Sequence, residues 1–147
     1  MIVLDTQRAL AAGGLVEMTT IGRRTGLPRR IDIALHGIDG HLYVSGLPGR
    51  RDWYANVLAM PHVVLHVSGE VRDEGEISID LPADARPVTD VDERRNVMEP
   101  IARGWGRDVE PMVRRSPLVE LTPVEVPMRR MALAAGAGRD RSALVEV

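Results

Sequence analysis

Apolar and polar positions alternate along much of the chain, and that period of two predicts strands. Residues 15–20 (LVEMTT) alternate and end on two threonines. Residues 29–36 (RRIDIALH) put Ile31, Ile33 and Leu35 on one face, and His41–Ser45 (HLYVS) makes a third strand. Residues 37–40 (GIDG) join these two as a hairpin, with the turn chemistry of Asp-Gly. A loop, GLPGRR, leads to Asp52, a suitable N-cap for a short helix over 53–60 that Pro61 ends. A fourth strand is predicted at 63–67, then a turn at Ser68-Gly69. A longer, more polar strand over 70–81 follows, with a bend at Gly75. Residues 82–87 read as a loop between prolines.

Asp90 and Glu93 form a candidate capping box for a helix over 91–103, which Pro100 should kink or end. A short helical piece is expected within 105–115. The last strand is 118–126, an edge or terminal strand because it contains Pro123. Hairpins dominate, and the helices that a doubly wound parallel sheet needs between its strands are missing. The expected fold class is mainly β (α+β): about six antiparallel strands in a small barrel, with a short inserted helix and outer helices. One domain over 1–127 is expected, followed by an Arg/Ala/Gly-rich tail, 128–147, read as loosely ordered.

Composition changes this picture in two ways. The chain has no Phe and few aromatics, so Val, Leu, Ile, Ala and Met must fill the core. It also has no Lys, and all 19 basic residues are Arg, each a planar fork suited to phosphate or carboxylate. The net charge is −2 but unevenly placed: residues 19–51 carry +4 and residues 70–99 carry −6. The first region suits an anionic ligand, and the second reads as a solvated face. With no cysteine, disulfides, thiolate catalysis and Cys-ligated zinc are excluded. No apolar run approaches the roughly 20 residues needed to span a bilayer, so no membrane partner is expected. The start of the chain lacks a basic n-region and carries Asp5, which argues against a signal peptide and for a cytoplasmic location.

The candidate chemistry lies in two blocks. The first is Thr19, Thr20, Gly22, Arg23, Arg24, Thr25, Gly26, Pro28 and Arg29. The second is Asp52, Trp53, Tyr54, Asn56, Ala59, Pro61 and Val63. A glycine-flanked loop can bring backbone N–H groups close to a ligand. Its arginines can fork onto anionic oxygens, and Thr25 adds a hydroxyl. The helix beginning at Asp52 offers its N-terminus to the same anion, and Trp53 can pack beside a flat ring.

These two blocks, on either side of a hairpin, resemble the deazaflavin-dependent nitroreductase family. The resemblance covers residues 15–70 well and the final strand loosely. It implies a split β-barrel that binds a deazaflavin, coenzyme F420, with FMN or FAD as the alternative. It implies an oxidoreductase that passes hydride to a small organic acceptor. The cofactor residues it implies are Arg23, Arg24, Thr25, Gly26, Arg29, Ser45, Gly46, Asp52, Trp53, Tyr54 and Asn56. A homodimer is expected by the same likeness. The chain departs from the family in a shorter loop between Ser45 and Asp52, which lacks a lysine common there. Ala34 stands where a tyrosine is often found. The substrate-side tyrosines are missing, and that region offers Trp105 and Met112 instead. The acceptor and any catalytic acid are therefore left open. The alternative function is a non-catalytic carrier or sensor for a flavin, haem or lipid on the same fold.

Other constellations carry less. His62 and His66 are four apart, but on a strand and without a third ligand, so no metal is expected. No Walker A loop, nucleophile elbow or Rossmann fingerprint is present. The acidic balance and the lack of an aromatic ladder argue against nucleic acid as a partner. Met98 and Met112 are expected to fill core.

Overall fold

A computed structural model describes residues 14–71 and 75–124. The predicted tail lies outside the described residues. Six strands, β1 (Gly14–Ile21), β2 (Pro28–Ile38), β3 (His41–Ser45), β4 (His62–Val71), β5 (Gly75–Pro87) and β6 (Leu118–Pro123), pair antiparallel. They close into a barrel in the order β1-β2-β3-β6-β5-β4, with β4 returning to β1. Helix α1 (Asp52–Ala59) is inserted after β3, and α2 (Val91–Trp105) and α3 (Val109–Arg115) lie between β5 and β6. The expected mainly-β barrel with one inserted helix and outer helices is what the chain forms.

The alternation read from sequence sets two cores. Inward positions such as Met18, Ile33, Leu35, Val44, Leu65 and Leu121 fill the barrel, joined by Trp53 and Val57 of α1. The residues beside them point outward. Tyr43 and Leu118 pack with Val97, Met98, Ile101 and Met112 under α2 and α3. Both methionines are core-filling, as expected. Arg94 fastens this outer layer. Its guanidinium is buried and donates to the carbonyls of Val113 (2.6 Å), Val88 (2.8 Å), Ser116 (2.6 Å) and Met112 (3.4 Å).

Several boundaries differ from the expectation. β4 does not turn at Ser68-Gly69 but runs on to Val71, so Glu70 belongs to it. β5 starts at Gly75, whose φ of +78° suits glycine, and continues through residues 82–87. That segment is strand, not loop. Pro82 is tolerated because its carbonyl accepts from Val124 N (2.9 Å). Its absent N–H therefore points to the same side, where β6 stops at Pro123. Ala83 and Ala85 of this segment point into the barrel. Helix α1 begins on Asp52 itself, with Arg51 at the cap position and no side-chain cap bond.

Asp90 does cap α2, accepting from Glu93 N at 3.0 Å. Glu93 turns its carboxylate to Arg86, so the box is half made. Pro100 is exposed and α2 passes through it, ending at Trp105 with Gly106 left-handed at φ +66°. Trp105 therefore closes α2 and does not open the next helix.

One feature of the register positions the site. β2 pairs with β1 from Pro28 to Leu35, but with β3 only from Ala34 to Ile38. β3 ends at Ser45, opposite Ala34, and the chain departs toward α1. Residues 28–33 of β2 thus have one backbone edge without a strand partner.

Candidate functional site

An open groove of about 600 Å³ lies where β3 leaves β2. Its floor is Ile31, Asp32, Ile33 and Ala34 of β2. It is also lined by Ser45, Gly46, Leu47 and Arg51 from the end of β3 and its loop, by Trp53 of α1, and by Trp105 and Arg107 at the end of α2. That volume suits a drug-sized ligand or cofactor. The unpaired edge of β2 offers backbone donors and acceptors there.

The eleven residues expected from sequence divide into three groups. Ser45, Gly46 and Trp53 line the groove. Trp53 also packs into the barrel core and meets Tyr54 edge-on, with ring centroids 5.8 Å apart, so it serves both roles. Tyr54 is half-buried against the same core and is not part of the lining.

A second group joins the glycine-rich loop to α1. Asn56 is buried; its Oδ1 accepts from Arg23 N (3.1 Å) and Arg23 Nη1 (2.9 Å), and its Nδ2 donates to Thr20 Oγ1 (3.2 Å). Arg23 also reaches Asp52, with Nη2 3.4 Å from Oδ1. The loop and the α1 turn are together, as expected, but these groups hold each other and do not line the groove.

The third group is the rest of the loop. Gly22 and Gly26 close it, with Gly26 N donating to Gly22 O and Gly22 N to Leu27 O, both at 2.8 Å. Gly26 has φ +71°, and a Cβ on Gly22 would sit 2.7 Å from Thr25 Oγ1. Thr25 Oγ1 accepts from Leu27 N at 3.2 Å. Arg24 and Arg29 are exposed and have no carboxylate partner among the described residues. Arg24 lies in the loop before β2, and Arg29 is the second residue of that strand, ahead of the part that floors the groove.

Sequence reasoning missed Arg107 and His36; Arg50 or Arg51 was expected to substitute for the loop lysine, and Arg51 lines the groove. Arg51 donates to Leu47 O (3.2 Å) and Arg50 O (2.9 Å), which ties it to the short loop. Arg107 reaches the groove only because α2 folds back across β3. His36 was legible in principle. A turn centred on Asp39 (φ +51°) and Gly40 (φ +80°) pairs His36 with Tyr43 and Ala34 with Ser45, all on the outer face. His62 and His66 are absorbed by neighbours. His62 Nδ1 lies 2.7 Å from Asp84, while buried His66 bridges Asp80 (2.8 Å) and Thr19 (2.6 Å). Among the described residues no cluster could hold a metal ion, and no helix is long and apolar enough to cross a membrane.

The sequence profile of the F420H(2)-dependent quinone reductases matches residues 5–105, which takes in both motif blocks and ends on Trp105. The chain belongs to the F420H(2)-dependent quinone reductase family. It is an F420-dependent reductase, and coenzyme F420 is its hydride carrier. No curated protein matches the chain.

Solved structures share the fold of this chain at low identity. A conserved hypothetical protein of Mycobacterium tuberculosis is 16% identical with a TM-score of 0.67, over 85% of this chain and 82% of its own. The haem storage protein HutZ of Vibrio cholerae is 13% identical with a TM-score of 0.62, over 85% and 89%. A protein described as an F420 reductase is 14% identical with a TM-score of 0.59, over 81% and 93%.

The residues present fit the cofactor. A flat deazaflavin ring needs apolar surface and hydrogen-bonding groups at its edge. The β2 edge and Trp53 offer both. Its phosphate and glutamyl carboxylates need cations not already neutralised, and the arginines around the groove have that character.

Proposed function

We propose that the groove beside the unpaired edge of β2 binds coenzyme F420, and that the acceptor reduced there is a small organic molecule of the quinone type. The unpaired edge carries this reading. It is the one stretch of β2 whose backbone groups face an open groove. When bound in its reduced form, the cofactor supplies a hydride to the acceptor. Ser45, Gly46 and Trp53 would lie along the ring. Arg24, Arg29 and Arg50 would hold the phosphate and carboxylates. Arg23, with Asn56 and Asp52, would keep the loop in place and leave its neighbours free to bind. The small residue Ala34 and the short loop held by Arg51 keep the acceptor end open. A homodimer belongs to the same reading; sedimentation giving a single species at 16.1 kDa would reject it.

The test is a fluorescence titration of purified protein with oxidised coenzyme F420, with FMN and FAD beside it. Micromolar or tighter binding of the deazaflavin alone is expected. Absence of F420 binding would sink the assignment of the groove. A panel of quinones, with turnover followed by reoxidation of the cofactor, then tests the acceptor.

A further inference from the structure

The reduction of a carbonyl or quinone by hydride needs a proton as well; Asp32 is the carboxylate among the groove's lining residues, and it is exposed and has no hydrogen-bonded partner behind it among the described residues. The other candidate is Ser45. Its side chain is 2% exposed yet lines the groove, and its Oγ lies 3.1 Å from His36 Nε2. His36 does not itself line the groove. It sits behind Ser45 and against the Trp105 ring, with centroids 5.4 Å apart at 56°. The strand register fixes this arrangement. Ala34 pairs with Ser45 and His36 with Tyr43, so His36 and Ser45 are diagonal neighbours on the outer face. Ala34, the residue opposite Ser45, lines the groove beside it.

We propose that His36 and Ser45 form the proton relay of the reductase, with Ser45 as the catalytic donor and His36 as the positioning and recharging group behind it. This rests on the groove being the F420 and acceptor site. As the acceptor gains hydride, its oxygen becomes electron-rich and takes the Ser45 hydroxyl proton. Ser45 Oγ takes the Nε2 proton of the His36 imidazolium in the same event. The imidazole left neutral regains its proton from water. One hydride and one proton reach the acceptor, and Ser45 ends as it began.

Burial lowers the His36 pKa below 6.5, with no charged group among the causes. The groups that face this site are Tyr43 of β3, Asp32 of β2, Arg51 before α1 and Arg107 after α2. The forward rate should therefore fall with rising pH, by about tenfold per unit above the His36 pKa.

Two measurements test the relay. The first uses the cofactor-free protein. The ring signals of His36 are titrated by NMR in the wild type and in Ser45→Ala. A displaced titration and a changed tautomer balance are expected in the variant, and superimposable titrations would overturn the coupling. The second compares wild type, Ser45→Ala and His36→Gln with bound F420. Glutamine keeps a donor near the Nε2 position but has no titrating proton. Measured at saturating F420, kcat should fall roughly 100-fold in Ser45→Ala. In His36→Gln the pH dependence should flatten. Unchanged kcat in Ser45→Ala, or a wild-type pH profile in His36→Gln, with F420 binding intact, overturns the relay alone. Loss of F420 binding already in the wild type overturns the site assignment, and the relay with it.

Discussion

Two regions of this molecule are each pinned by one arginine, and they use it differently. Under the outer helices, Arg94 is buried and gives its donors to four carbonyls from three segments. No carboxylate accompanies it among the described residues, and burial lowers its pKa. At the glycine-rich loop, Arg23 stays partly exposed and works with side chains, Asn56 and Asp52. The first arrangement fixes where α2 and α3 sit on the barrel. The second fixes a loop, while Arg24 and Arg29 have no carboxylate partner among the described residues. The chain has 19 arginines, and only their partners separate those that hold the fold from those available to an anion.

The largest expected effect breaks the first region. Arg94→Met keeps the stem but removes every donor, stranding buried carbonyls, and should cost about 3 kcal/mol. Urea unfolding should show a lower midpoint at unchanged slope. Next is Asn56→Ala, which frees Arg23 N and Thr20 Oγ1 together and should cost about 2 kcal/mol. It should also weaken F420 binding, because the loop loses its anchor to α1. Arg23→Ala, whose ion pair is solvent-screened, should cost no more than about 1 kcal/mol.

The double change Arg24→Ala with Arg29→Ala sharpens the comparison. Stability should move by less than about 0.5 kcal/mol. F420 affinity should fall roughly tenfold or more, and the remaining binding should lose much of its salt dependence. The smallest effect is a slope in pH. His36 has its pKa lowered by burial, so below 6.5 the unfolded chain holds more protons than the folded one. Stability should decline as pH falls from 6.5 to the folded-state pKa and level off below it. The decline should lessen in His36→Gln, as thermal unfolding across that range would show.

Much of the barrel was legible because alternation reports one buried face. β3 was read at its true bounds, and Ile31, Ile33 and Leu35 were assigned to one face. Residues 82–87 were misread because two prolines look like punctuation. Only the end of β6 beside Pro82 makes an absent N–H harmless there. The run of α2 through Pro100 was hidden for a similar reason: its exposed position lets water serve the freed carbonyl. In the site, Trp53 was reached through the second motif block, and Ser45 and Gly46 only through the family resemblance. Arg107 depends on a long-range return of the chain that no local pattern records. His36 needed the hairpin register to be carried outward two residues from the turn.

The free edge of β2 has one more consequence. A closed barrel leaves no strand open to a neighbour, except where a partner strand stops short, as β3 does at Ser45. The same backbone groups that could receive a ring edge could receive the extended strand of another chain, and would so begin an aggregate. The composition of that edge guards against it. Pro28 removes a donor at its start, Arg29 and Arg30 charge the next two positions, and exposed Asp32 charges a fourth. Proline and charge thus stand on the one stretch of β2 edge that another strand could join.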